Sequence, residues 1–190
     1  EIYGVGMVSS PRVPLFLAPT TAGTGSEVTP VAIITTGETT KAGVSSPALL
    51  PDVAILDASL TLGLPQHITA MTGIDAMVHA IEAYTSKIKK NPISDMLALR
   101  ALTLLAGNMR TVLSAPKDVS AREAMLLGSM FAGQAFANAP VGAVHALAYP
   151  LGGHYHIPHG LSNSLMLPTI LSFNAEVCPD LYAELTDVLP

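Results

Sequence analysis

Four side chains in this sequence could jointly hold a divalent cation: Asp75, His79, His145 and His159. Asp75 and His79 lie four positions apart in Gly73-Ile74-Asp75-Ala76-Met77-Val78-His79-Ala80-Ile81-Glu82-Ala83-Tyr84. That stretch reads as a helix, and side chains at this spacing stack on one helical face. His145 and His159 follow in a Gly- and His-rich segment, and they can reach a common point if the Gly152-Gly153 pair turns the chain back. One carboxylate with three neutral imidazoles is an N/O donor set suited to Fe(II) or Zn(II), and the lack of thiolates argues against a structural zinc. Such a site can keep a position open, where an alcohol would lose its proton readily and its carbon could release hydride.

Each residue alone has a plainer reading. A single His on an apolar helix is usually a core or surface histidine, and Asp75 could be a carboxylate that complements a helix dipole. The joint pattern argues for a metal: an Asp-x-x-x-His pair, a Gly-x-x-His helix start and a Pro158-His159-Gly160 corner. His67, His154 and His156 read as loop or rim residues, with His154 best placed to approach a substrate.

The elements that must position these groups change character along the chain. Residues 13–18 form a short apolar run between prolines, the pattern of a buried strand. A loop follows, Pro19-Thr20-Thr21-Ala22-Gly23-Thr24-Gly25-Ser26-Glu27, whose glycines and hydroxyls could present donors to a phosphate or ribose, although such loops are more often plain turns. Val28 to Thr36 reads as strand, Gly37-Glu38-Thr39-Thr40 as a turn, Lys41 to Ser45 as the return of a hairpin, and Asp52 to Asp57 as another buried strand. No helix in this first third is long enough to complete a parallel βαβ unit.

Helical periodicity takes over from about residue 60, placing a domain boundary at 58–62, with residues 1–59 as part of an α/β domain and 60–190 as an all-helical bundle. Pro65 opens the helix that carries Asp75 and stops near Ser86. Asn91-Pro92 starts another with apolar Met96, Leu97, Leu99, Leu102, Leu104 and Leu105, ending before Pro116. Ser120 is expected to cap a third, which runs to about Asn138 with a small-residue face at Gly128, Ala132, Gly133 and Ala135. Val141 to Leu151 should be helical and end at Gly152-Gly153, with His154 to Gly160 a loop before a helix over Leu161–Ala175 and a short amphipathic segment over Asp180–Val188.

Hydrophobic residues make up 49% and charged residues only 12%, so much surface is expected to be covered by another domain or subunit, which points to a homo-oligomer. A net charge of -5 without any Lys/Arg cluster argues against nucleic acid or an anionic membrane as partner. The most apolar stretch, Met96 to Ala106, is interrupted by Arg100 and reads as too short to span a bilayer. One cysteine, Cys178, excludes an internal disulfide and fits a reducing, cytoplasmic setting, and no secretion signal is visible at the start.

Three stretches together, Pro19 through Glu27, Thr72-Gly73-Ile74-Asp75 through His79-Ala80-Ile81-Glu82, and Gly142-Ala143-Val144-His145 through Pro158-His159-Gly160, resemble the iron-containing (group III) alcohol dehydrogenases. The resemblance runs in register over nearly the whole chain. It implies a nucleotide-binding α/β domain followed by a helical, dehydroquinate-synthase-like domain, with the active site in the cleft between them. By position it puts the metal ligands on Asp75, His79, His145 and His159, and NAD or NADP contacts on Thr20, Thr21, Thr24, Lys41, Leu60 and Leu64. The implied reaction is reversible hydride transfer between a primary alcohol or its aldehyde and NAD(P), with Fe(II) or Zn(II) polarising the oxygen.

This sequence departs from the family pattern in two ways. The family's Gly-rich diphosphate loop and its acidic residue that discriminates NAD from NADP are not in this chain, which resembles the C-terminal part of a longer protein. Many relatives also carry a second histidine where this chain has Tyr149; that position shares a helical face with His145, so its phenol could contact a substrate oxygen. A hydroxy-acid or polyol dehydrogenase of the same family, or a non-catalytic helical assembly module, would keep the same motifs. The maleylacetate reductases, which resemble the family but lack the metal, are disfavoured by the intact donor set.

Overall fold

A computed structural model describes residues 2–8, 10–38 and 40–189. Thr39, within the expected hairpin turn, lies outside the described residues. The first part is built from short strands. β3 (Val31–Thr35) and β4 (Lys41–Ser45) form the expected antiparallel hairpin, with Val31 opposite Ser45 and Thr35 opposite Lys41. β1 (Gly4–Val5) adds to β4 in parallel, and β2 (Phe16–Leu17) pairs in parallel with β5 (Val53–Ala54) in a separate two-stranded sheet.

The two runs expected to be buried strands are only half that. Each contributes two ladder residues, and Val13, Phe16, Val53 and Ile55 lie exposed. Apolar composition marked the strands but not which faces this chain covers. Parallel partners far apart in sequence leave no local signature, which is why β1–β4 and β2–β5 were not foreseen.

Among the described residues six α-helices follow: α1 (Gln66–Thr85), α2 (Pro92–Ser114), α3 (Val119–Asn138), α4 (Ala143–Tyr155), α5 (His159–Ala175) and α6 (Pro179–Leu185). α1 is the axis of the bundle, packing on α2, α3 and α5. Every residue from Val78 to Tyr84 is buried, so this stretch of the helix has no solvent face and any polar group on it needs a partner. α2 starts on a capping box in which the Asn91 side-chain Oδ1 accepts from the Ile93 and Ser94 N–H groups while the Ser94 Oγ accepts from the Asn91 N–H. At 23 residues α2 exceeds the expected apolar stretch and has the length and composition of a bilayer span, yet Ala98, Ala101, Leu102, Leu105 and Val112 pack into the core with α1 and α3. Met96, one of its apolar residues, is exposed.

Three local expectations are corrected. Asp118, not Ser120, caps α3: its carboxylate accepts from the Ala121 N–H at 3.0 Å, and the helix begins one residue before Ser120. α4 runs through Gly152-Gly153 to Tyr155, because neither glycine adopts a positive φ; His156 does so instead, at φ 55°, and turns the chain into α5. The turn that brings His145 and His159 together is therefore made by His156 to Pro158. α5 starts at His159, two residues before the expected Leu161.

The Gly/Thr loop is seated on the bundle by its glycines. A Cβ on Gly25, which sits at φ 58°, would lie 2.6 Å from the Gly133 Cα, and one on Gly23 would lie 2.7 Å from the Thr72 Cβ. Close backbone approach to α1 and α3 thus accounts for both glycines.

Candidate metal centre

α1, α4 and α5 converge where α1 presents Asp75. His145, in the first turn of α4, brings its Nε2 to 3.8 Å from the Asp75 Oδ1, and His159, the first residue of α5, brings its Nε2 to 3.6 Å from the same oxygen. All three donor atoms lie within 4.8 Å of one another. Asp75 and His145 are buried, whereas the His159 side chain is partly open to the adjoining cleft. Donors that share a cation at about 2.0–2.2 Å each stand only slightly closer together than this, so the three fit a divalent ion of N/O preference.

His79 is placed differently. It lies outside the three-atom cluster, with its ring stacked on His145 at 4.6 Å between centroids and against Phe136 at 4.5 Å. Its Nδ1 is buried without a hydrogen-bond partner. His79 thus stands against the gathered donors, through its ring stacked on His145, without joining them.

Burial lowers the His79 pKa to about 4, against the raising effect of Asp75 and with lowering contributions from His145 and His159. His159 is lowered too, chiefly by burial, with Asp75 opposing and His145 and Lys41 adding to the shift. Both rings therefore stay neutral near pH 7, the form that offers a lone pair to a metal. The unfolded His79 binds a proton near 6.5 and the folded one near 4, so between those values the unfolded state holds more protons. The His79 contribution is complete above pH 6.5 and is lost as pH falls towards 4. Metal-free protein is expected to lose thermal stability across that window, and His79→Gln should flatten this part of the profile, as a comparison of melting temperatures at pH 7 and pH 4.5 would show.

Two neighbours of the donors had not been singled out. Glu82 places one carboxylate oxygen 2.6 Å from the His145 Nδ1, while the other accepts from the Val144 N–H at 2.7 Å. Burial pushes this carboxyl up, but hydrogen bonds from His145 and from the backbone at Gly142 and Val144 outweigh it and hold the pKa below its ordinary value. Asn163, fully buried on α5, donates from its amide to the Asp75 Oδ1 and stands 3.2 Å and 3.3 Å from the Nε2 atoms of His145 and His159. The signal for Glu82 was its place three residues after His79, on the same face of α1; for Asn163 it was the fourth position after His159.

The remaining candidates surround the centre. Lys41 lines two adjoining cavities. One, of about 290 Å³, includes Thr35, Gly152, His156 and His159; the other, of about 630 Å³, includes Ile33, Tyr149, Pro150 and His154. The Tyr149 ring lies 6.0 Å from that of His159, and burial, then Asp75 and Glu82, raise its pKa, so the phenol keeps its proton. His154 is in the last turn of α4 rather than in a loop, and His67 is an exposed residue of α1. Thr20 and Thr24 are exposed at the Gly/Thr loop and Thr21 is half-buried, with the Thr24 hydroxyl bonded to Ser26. Leu60 is exposed and Leu64 half-buried at the start of the helical part.

Family models match nearly the whole chain. Residues 2–58 match the description "Iron-containing alcohol dehydrogenase" and residues 69–190 "Fe-containing alcohol dehydrogenase family, C-terminal". The chain belongs to the iron-containing alcohol dehydrogenase family. Among iron-containing alcohol dehydrogenases it is 48% identical to the probable alcohol dehydrogenase EutG of Escherichia coli, over 94% of this chain and 45% of that protein. The crystal structure of a 1,3-propanediol oxidoreductase superposes with a TM-score of 0.94 at 40% identity, covering 99% of this chain and 49% of that one. A sulfoacetaldehyde reductase from Bifidobacterium kashiwanohense in complex with NAD+ superposes at 0.80 with 38% identity, over 85% of this chain and 43% of that one. The chain thus spans slightly less than half the length of these relatives. The family assignment and the fold, a small α/β part followed by a helical remainder, agree with the expectation drawn from the sequence.

Proposed function

We propose that this chain carries the metal centre of an NAD(P)-dependent alcohol dehydrogenase or aldehyde reductase. The observation that carries the reading is the convergence of Asp75, His145 and His159 from three helices on one buried point, with His79 stacked beside them. In this reading residues 1–59 belong to the nucleotide-binding domain and 60–190 to the metal-binding domain. Asp75, His79, His145 and His159 hold Fe(II), as the family name favours, or Zn(II). A bound cation at this centre supplies Lewis acidity that favours loss of the hydroxyl proton from a small alcohol.

The protein's own groups do the rest. Lys41, on the wall shared by both cavities, gives positive charge for a nucleotide phosphate, and Thr20, Thr21, Thr24, Leu60 and Leu64 are assigned to the same cofactor, NAD or NADP. Tyr149 and His154 face the larger, mostly apolar-lined cleft, where the protonated phenol can donate to a substrate oxygen and the Ile33 and Pro150 side chains exclude water. A homo-oligomer in the cytoplasm completes the reading, supported by exposed apolar side chains such as Val5, Phe16, Phe173 and Val177 and by the single free Cys178.

The test is to load the protein anaerobically with Fe(II) or Zn(II), measure metal per chain, and follow reduction of NAD or NADP with a series of primary alcohols. One metal per chain with nucleotide reduction is the expected result. A protein that retains no metal after loading overturns the proposal.

A further inference from the structure

We infer that Glu82 is a positioning residue for the metal centre: its carboxylate holds His145 with the proton on Nδ1, leaving the Nε2 lone pair for the ion. The inference rests on the proposed metal reading and assigns a role outside the four donors. α1 carries Asp75, His79 and Glu82 at spacings of four and then three residues, so one helical face offers two candidate donors and, one turn on, the carboxylate. The geometry leaves little choice of proton. The Val144 N–H can only donate, so the Glu82 Oε1 accepts at 2.7 Å; the Oε2 of the same carboxylate faces the His145 Nδ1 at 2.6 Å. Nδ1–H donating to that oxygen fixes Nε2 as the bare nitrogen, and Nε2 is the atom turned towards Asp75. Glu82 and His145 are 7% and 3% exposed, so water does not compete for either group.

The bond to Val144 has a plainer purpose that the test must separate. α4 has Gly142 at its N-cap and no capping side chain of its own, so Glu82 also satisfies one of its first backbone N–H groups from another helix. Glu82→Gln keeps the acceptor for that N–H but turns an amide NH2 towards Nδ1. A donor there demands the opposite tautomer, with the proton on Nε2 where the metal would bind. If capping were the whole role, this substitution would leave the metal untouched.

Two measurements decide. Long-range 15N–1H NMR of the metal-free full chain should show wild-type His145 protonated on Nδ1, moving towards Nε2 in Glu82→Gln. Competition with a chromophoric chelator should show Co(II) or Zn(II) bound about 10- to 100-fold more weakly by Glu82→Gln than by wild type, the range typical when the partner of a ligating His is lost. Wild type that binds metal, with Glu82→Gln equal to it in affinity and tautomer, overturns the inference while leaving the metal site standing. Wild type that binds no metal defeats the metal reading itself. Should Glu82→Gln fail to fold, the wild-type spectrum still decides, because a proton on Nε2 contradicts the inference.

Discussion

Asp75→Asn is expected to cost the protein its metal with little change in fold. Asp75 is buried and is the only carboxylate among the candidate donors, so it alone brings negative charge to a cation held otherwise by neutral rings. Asparagine has the same shape and keeps a carbonyl oxygen that can still accept from the Asn163 amide. The substitution therefore removes charge and leaves packing in place. Loss of the one negative charge among the donors should exceed the loss typical of an outer partner, so affinity for Fe(II) or Zn(II) should fall by more than about 100-fold. Metal analysis after gel filtration, with circular dichroism as a check on folding, reads the outcome. His145→Ala should behave alike. Stoichiometric metal in Asp75→Asn at unchanged affinity would remove the centre from the reading of this chain.

Gly160→Ala should be the most damaging small substitution in the bundle. A Cβ at Gly160 would lie 2.3 Å from the Met71 carbonyl oxygen and 2.8 Å from its carbon. Both are backbone atoms of α1, so relief cannot come from a rotating side chain; α5 has to move away from α1. Overpacking of this kind costs up to about 3 kcal/mol, which at this chain length lowers the melting temperature by about 6 to 12 °C. The displacement also bears on the site, because His159 precedes Gly160 and Asn163 follows one turn later, while Asp75 is one turn beyond Met71. Metal affinity should drop together with stability. Gly107→Ala is the control: nothing lies within 4 Å of a Cβ there, in an exposed position of α2, so it should stabilise by up to about 1 kcal/mol. Equal melting temperatures for the two variants would show that α5 can shift without penalty.

Local chemistry made much of this protein legible before any coordinates. The hairpin over Val31–Ser45 and the starts of α1 at Pro65 and α2 at Asn91-Pro92 follow from side chains acting within a few residues of themselves. Such signals survive because capping and turn formation need no distant partner. Where the local signal was ambiguous, the reading slipped. Gly152-Gly153 looked like a helix end, but a glycine only permits a turn, and α4 continues to Tyr155, with His156 taking the left-handed conformation that ends it. α3 is capped by Asp118, two residues before the expected Ser120.

The amino-acid sequence by itself determined which donors exist, that Asp75 and His79 share a helical face, and the family to which the chain belongs. Only the tertiary structure decided that His145 and His159 bring their Nε2 atoms to 3.8 and 3.6 Å from the Asp75 carboxylate while His79 stacks on His145, and that Glu82 and Asn163 reach the same point. The physical reason is separation along the chain. Helical periodicity sets directions over one or two turns, whereas residues 63 and 88 positions apart, such as Glu82 with His145 and Asp75 with Asn163, meet only once backbones pack as closely as Gly160 does on Met71.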